Sequence, residues 1–478
     1  MSSGTTTSVR GEPYEVRSGG PVLFLLASGL LWLLVGLVLS LLIGIKLQFP
    51  AFGSEFAFLS CGRLQSAAGC ALVYGFAAQV GLGLSLWLLA RLGGRVLPGG
   101  GLAGIAAAFW NVAISIGIPG ILAGQGTGLR WLELPRESVV VLFLAYLILG
   151  ILGTRLLFQR SNTRISAAQA WLLVALFWFP WIFSTAQVAL VFVPVRGVLQ
   201  AIIGGWYTQA LFLGWLTSIA LALLYALIPE LSGKVAAHSR YAGFGFWSWL
   251  LFSGWTAGSS LVGGPVPAWI PTLAVASGVL LLIPTVLISL SLHSGARLRT
   301  LFSSPALFLA TASGISFTVF GVLTALTSFR CAREVLQFTQ FFVGLNELFL
   351  FGFVGFALFA GIYVAVPRIL GVPLRHSILS ILHVAGTIAG VGLAIASLLV
   401  GGWFQGWALQ SGTDSVTVVR HLQPWLCLNF LGVLLFLGSQ LALLAHLLTA
   451  VVTFLLPFGK PVLAWVLSPT SATGSKSS

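Results

Sequence analysis

Apolar residues run in long unbroken stretches, and polar residues are confined to short breaks between them. Twelve stretches stand out, near 21–45, 65–90, 102–123, 138–158, 168–193, 199–229, 241–263, 267–292, 304–328, 335–366, 377–400 and 424–456. A helix needs about 20 apolar residues to cross a bilayer, and each stretch meets that length. In lipid every backbone polar group must be satisfied inside the chain, so the pattern predicts an all-α, polytopic integral membrane protein with twelve transmembrane helices. Residues 19–458 form one helical-bundle domain on this reading. Residues 1–18 and 468–478 read as polar, Ser/Thr/Gly-rich stretches, and 1–18 and 459–478 as the cytoplasmic tails, expected to be disordered. No pair of matched broken helices marks an inverted repeat. The first apolar run is too long for a signal-peptide core and more spans follow it, so no cleavable signal is expected.

Composition sharpens this picture. The chain is 58% hydrophobic and 7% charged, with a mean hydropathy of +1.04, whereas soluble domains carry about 25% charged residues. The net charge of +14 has a simpler source than nucleic acid. The N-terminus and the loops after even-numbered stretches hold 15 Lys and Arg, among them Arg10, Arg17, Arg91, Lys234, Arg297, Arg299, Arg368, Arg375, Lys460 and Lys476, against 8 on the other side. That asymmetry expects both termini on the cytoplasmic side of the membrane.

The chemistry-bearing residues are few. Glu347 is a lone carboxylate in the apolar run that starts near 335. A charge there costs roughly 2.5 kcal/mol or more, so it marks a candidate site. Two readings stay open for it: a proton-relay or quinone-contacting group, or a protonated side chain bonded to Gln209 or a serine as interhelical glue. One carboxylate makes no relay, which favours the second. Six histidines occur, His238, His293, His376, His383, His421 and His446, and none is spaced like a ligand pair. Cys61, Cys70, Cys331 and Cys427 lack metal spacing. Cys61 and Cys331 fall at external helix ends, where a disulfide is chemically permitted.

Scattered motifs carry a family resemblance. Gly62-Arg63-Leu64 opens the second stretch, and Gly124 to Pro135 forms a Gly-rich loop with Trp131 and Glu133 at its end. Gly205-Trp206-Tyr207-Thr208-Gln209-Ala210 opens the sixth, and Ser253 to Val262 lies in the seventh. Ser316-Phe317-Thr318-Val319-Phe320-Gly321 lies in the ninth, Thr339 to Glu347 in the tenth, and Ile381-Leu382-His383 with Gly401-Gly402-Trp403-Phe404-Gln405-Gly406 in the eleventh. Together they resemble subunit I of the haem-copper oxidases, in the branch of the cbb-type cytochrome c oxidase and nitric oxide reductase. The loop from Gly124 also reads as a flexible turn with Trp131 as an interfacial anchor.

That resemblance implies a twelve-helix subunit I-like bundle and six histidine ligands to haem and copper. The positions matching those ligands read Ala68, Gln209, two of Ser259, Ser260 and Leu261, then Leu345 and Glu347. Haem iron takes His, Met, Cys or Tyr, and Ala and Leu supply no donor. The expected metal ligands and catalytic residues are therefore none, and no cofactor is expected in this chain. Phe320 and Gly314 fall where the family has a carboxylate and a tyrosine. His383 matches a family histidine that is not a metal ligand. Losing two haems from a close-packed bundle leaves space to fill. Aromatic side chains such as Phe341, Phe342, Phe349, Phe351 and Phe353 are the candidates, along with lipid or quinone. The bland alternative is that these rings face lipid.

The implied role is a degenerate, non-catalytic, haem- and copper-free subunit. It would scaffold a bacterial respiratory, electron-transfer complex with other membrane and periplasmic subunits, c-type cytochromes among them. Two alternatives are a catalytic oxidase or nitric oxide reductase subunit with unusual ligation, and a proton, ion or solute transporter reusing the bundle.

Overall fold

A computed structural model describes residues 11–233, 239–293, 304–374 and 377–467. His238, His376, Lys234, Arg297, Arg299, Arg375 and Lys476 lie outside the described residues, and the Ser260 and Lys460 side chains lie outside the described ones. The helices are α1 (Gly19–Gln48), α2 (Cys61–Gly93), α3 (Gly100–Ala123), α4 (Arg136–Phe158), α5 (Ala167–Phe192), α6 (Val198–Ser232), α7 (Ser239–Ser253), α8 (Trp269–His293), α9 (Pro305–Ser328), α10 (Gln340–Leu370), α11 (Ile378–Gln410) and α12 (Ser415–Leu467). All except α7 are long and apolar enough to cross a bilayer. The seventh stretch instead divides at Gly254: α7 ends at Ser253 and a short 3₁₀ turn follows at Thr256–Leu261.

Burial sorts the helices into two classes. The most apolar 18-residue windows of α2 and α10 are wholly buried and that of α6 is 94% buried, while those of the other spanning helices are 33–56% buried. Three central helices are thus wrapped by the rest. Close backbone approach supports the packing. A Cβ on Gly390 of α11 would meet Phe436 N of α12 at 2.6 Å, and one on Gly432 of α12 would meet Ala394 N of α11 at 2.6 Å. Small residues at such crossings let helix backbones touch.

The three central helices share a second feature. Each widens from α to π geometry partway along: at Ala71–Ala78 in α2, Ala210–Leu216 in α6 and Leu348–Gly355 in α10. A π-turn shifts the hydrogen-bond register and leaves carbonyls in need of donors, which in lipid must come from neighbours. Indoles supply them. Trp110 Nε1 of α3 donates to Tyr74 O, Trp178 Nε1 of α5 to Ala210 O and Trp249 Nε1 of α7 to Leu213 O, at 2.9, 3.2 and 2.8 Å. Ser313 Oγ of α9 donates to Phe353 O at 2.6 Å. A glycine in each wide segment (Gly75, Gly214, Gly352) makes room for a neighbouring Trp32, Trp178 or Ser316.

The polar ends depart from the expected tails. Residues Pro13–Arg17 form a helical turn held by a capping box, with Glu12 N–H donating to Glu15 Oε2 at 2.9 Å. Glu15 is buried and lies 3.5 Å from Arg91 and 3.9 Å from Arg368, while both arginines also donate to Glu230. This charge knot ties the turn to the ends of α2, α6 and α10, which is why residues 11–18 are ordered rather than a free tail. At the other end, α12 continues as helix to Leu467 and so takes in residues 459–467 of the expected tail. Apolar helical sequence runs on through Pro461 to Leu467 with no helix-stopping glycine beyond Gly459.

Candidate functional site

The sites matching the family ligands lie at the mouths of the wide segments. Ala68 precedes the α2 π-segment by three residues; Gln209 and Glu347 immediately precede those of α6 and α10. Ala68, Ser259 and Leu345 are buried, and Gln209 and Glu347 are half-buried. Alanine and leucine carry no donor atom, so this residue set does not fit axial ligation of haem iron or a histidine-bound copper. Among the described residues, no group of three or more His, Cys, Asp or Glu is placed to hold a metal ion.

Aromatic rings fill the two sides of α10. On one side Trp131 packs on Phe212 at 5.1 Å between ring centroids, Phe212 on Phe349 at 5.0 Å, and Phe349 on Phe320 at 5.0 Å. Phe353, Phe317 and Trp249 continue the stack. On the other, Phe351 and Phe359 of α10 meet Phe436 of α12, and Phe359 stacks on Phe76 of α2. Phe341, Phe349, Phe351 and Phe353 are buried and Phe342 half-buried, so these rings turn inward rather than to lipid. Cavities of about 690 and 570 Å³ lie elsewhere, one beside Gln125, Arg136 and Pro194, the other beside Phe404, Trp407 and His421. Neither is lined by Ala68, Gln209, Leu345 or Glu347.

Glu347 meets a polar partner from another helix than expected. Its polar neighbour is Asn429 of α12, whose amide Nδ2 donates to Ala394 O at 3.4 Å. Among the described residues no hydrogen bond joins Gln209 to Glu347. The carboxylate thus neighbours α12 rather than Gln209 of α6.

Two clusters escaped sequence reasoning. Tyr363 Oη of α10 and His383 Nδ1 of α11 are 3.0 Å apart, and the ring of His446 of α12 lies 6.0 Å from that of Tyr363, tilted by 53°. Gln440 Nε2 donates to Thr387 Oγ1 and Ser439 Oγ beside them. The two histidines face one site from different helices, a pairing that linear spacing does not reveal. The second cluster lies in the first half of α2. Trp131, read as an interfacial anchor, is instead buried in the left-handed region at φ 65°, rare for a bulky residue. It reaches under Gly69, and its carbonyl accepts from Tyr74 Oη, which also shares a short hydrogen bond with Tyr207 Oη. Beside them the Cys70 thiol donates to Glu133 Oε2 at 3.5 Å. The four cysteines are free, with Cys61 and Cys331 both exposed.

Burial raises the Glu133 carboxyl from 4.5 to about 7, partly offset by backbone N–H groups, Cys70 and the nearby Arg130. The folded state therefore holds this proton more tightly than the unfolded chain. Its stabilisation is full below pH 4.5 and is lost as pH rises through 7. The loss amounts to about 3 kcal/mol at most. Thermal unfolding of wild type across that window is expected to show a slope that Glu133→Gln flattens; equal slopes would refute the assignment.

Comparison with known proteins agrees with this architecture. The family profile "Cytochrome C and Quinol oxidase polypeptide I" matches residues 20–435. The chain belongs to this family of multi-span membrane proteins, a haem-copper oxidase subunit I-like chain. It is similar to the cytochrome c oxidase subunit 1 homolog of Azorhizobium caulinodans, 23% identical over 86% of this chain and 78% of that protein. It is also similar to the bacteroid cytochrome c oxidase subunit 1 homolog of Bradyrhizobium diazoefficiens, 22% identical over 90% and 81%. A heme-copper terminal oxidase dimer solved by cryo-electron microscopy shares the fold at a TM-score of 0.72 and 14% identity, covering 90% of this chain and 84% of that one.

Proposed function

We propose that this chain is a non-catalytic, haem- and copper-free subunit I-like scaffold of a bacterial respiratory complex. On this reading it sits in the inner membrane with both termini in the cytoplasm and holds other membrane and periplasmic subunits, c-type cytochromes among them, that carry the redox groups. The observation that carries the reading is the pairing of donorless side chains at Ala68 and Leu345 with aromatic rings on both sides of α10. A filled, ligand-free interior has lost the means to position oxygen chemistry but keeps the surface of the bundle. The relatives' names as oxidase subunits support the setting.

The test is a reduced-minus-oxidised visible spectrum of the purified native complex, with pyridine haemochrome and metal analysis apportioned by subunit. No b-type haem and no copper in this chain is the expected result. Stoichiometric haem would overturn it and direct the search for axial ligands to His383 and His446.

A further inference from the structure

A buried cation lacks a counter-charge where α9 turns into α10. The short helix Arg330–Leu336 lies against the end of α11, where a Cβ on Gly406 would meet Val335 O at 2.4 Å. Arg333 on this helix is only 8% exposed. Its guanidinium lies 4.7 Å from the centre of the Phe342 ring, and its Nε has no hydrogen-bond partner. Among the described residues no carboxylate pairs with it, and burial alone lowers its pKa to about 10. Arginine stays charged at any ordinary pH. An ion of this kind buried against one aromatic face is strongly unfavourable unless an anion completes it.

The surroundings say which phase that anion comes from. Phe329 and Phe338 flank the short helix and are 47% and 88% exposed, and Trp403 and Trp407 stand exposed at the adjoining end of α11. Exposed aromatic rings at helix ends mark the level of lipid headgroups. Arg330, one turn earlier, donates to Thr272 Oγ1 at 2.8 Å and adds a second positive charge nearby. A planar guanidinium matches two oxygens of a phosphate at once.

We propose that Arg333 holds the phosphate of an anionic membrane lipid at the junction of the Arg330–Leu336 helix with α10 and α11. A zwitterionic lipid carries the same phosphate but no net charge, so it compensates the buried cation less well. The lipid would act as a structural wedge that fixes the entry of α10.

The test is thermal unfolding of the purified full chain in detergent, with added phosphatidylglycerol, phosphatidylcholine or inorganic phosphate at equal phosphorus. Phosphatidylglycerol is expected to raise the midpoint by about 3 °C or more, and the other two by much less. Arg333→Gln is expected to lose that rise, and Arg330→Gln to keep most of it. Equal shifts with inorganic phosphate would overturn the lipid as the source. No shift in wild type, or an undiminished shift in Arg333→Gln, would overturn the site itself. Should Arg333→Gln fail to fold, the wild-type lipid series still decides, and Phe342→Leu, which removes the aromatic face, should weaken the shift.

Discussion

Gly402→Ala is expected to destabilise the bundle by about 3 kcal/mol or more, the upper part of the range for overpacked interiors. The reason is backbone against backbone. A Cβ at Gly402 of α11 would lie 1.9 Å from Phe341 N and 2.6 Å from Gln340 C and Phe341 Cα of α10. No rotamer change relieves a clash with main-chain atoms. The start of α10 is also pinned locally: the Thr339 hydroxyl caps it by accepting from Phe341 N–H, and Gln340 N–H donates to Gln405 Oε1 of α11. The added methyl therefore pries apart the crossing that places Leu345 and Glu347. Gly392→Ala in the same helix is the control, because nothing lies within 4 Å of its Cβ position. Alanine is the better helix former there by about 1 kcal/mol, so that variant should be neutral or stabilising. The comparison is thermal unfolding in one detergent; equal midpoints for the two variants would show that the helices can slide apart without cost.

Restoring imidazoles is expected to damage the fold without restoring a cofactor. Ala68→His combined with Glu347→His puts two potential axial ligands back at the positions the family resemblance assigns. Ala68 is 3% exposed, within the buried apolar core of the bundle. Enlarging a side chain in such packing costs about 1–3 kcal/mol. Replacing Glu347 also removes the carboxyl that neighbours Asn429. The double variant should unfold at lower temperature than wild type, and its reduced spectrum should show no b-type α-band. A stoichiometric haem band would mean that the rings beside α10 yield readily, and the proposal of a filled interior would fall.

The bundle was legible in the chain because spanning helices need long apolar runs, and twelve runs are written into the sequence. The frame that carries the family resemblance, Gly62, Trp206 and Gly344, is local sequence, and the resemblance alone assigns Ala68, Gln209 and Leu345 to ligand positions. What spacing could not convey was contact between helices. His383 and His446 read as isolated residues and meet only because α11 and α12 pack side by side against Tyr363. Arg91 and Arg368 read as markers of membrane orientation, yet they also clamp Glu15 and Glu230. The seventh stretch was apolar enough to be read as a full span, but Gly254 and the Gly-rich residues after it end the α-helix early. The π-segments of the three central helices leave little local trace beyond a glycine, because helical register in the core is chosen by the partners that satisfy it.

Those partners bear on how the chain enters the membrane. Tyr74 O of α2 receives its donor from α3, and Ala210 O of α6 from α5. Leu213 O of α6 is answered by α7, and Phe353 O of α10 by α9. Every donor sits on the helix next door in sequence. Consecutive hairpins can therefore leave the translocon with these widened backbones already satisfied, before the distant helices have been synthesised. The central helices would thus arrive prefabricated, and their late assembly is left to ring packing, glycine crossings and the charge knot.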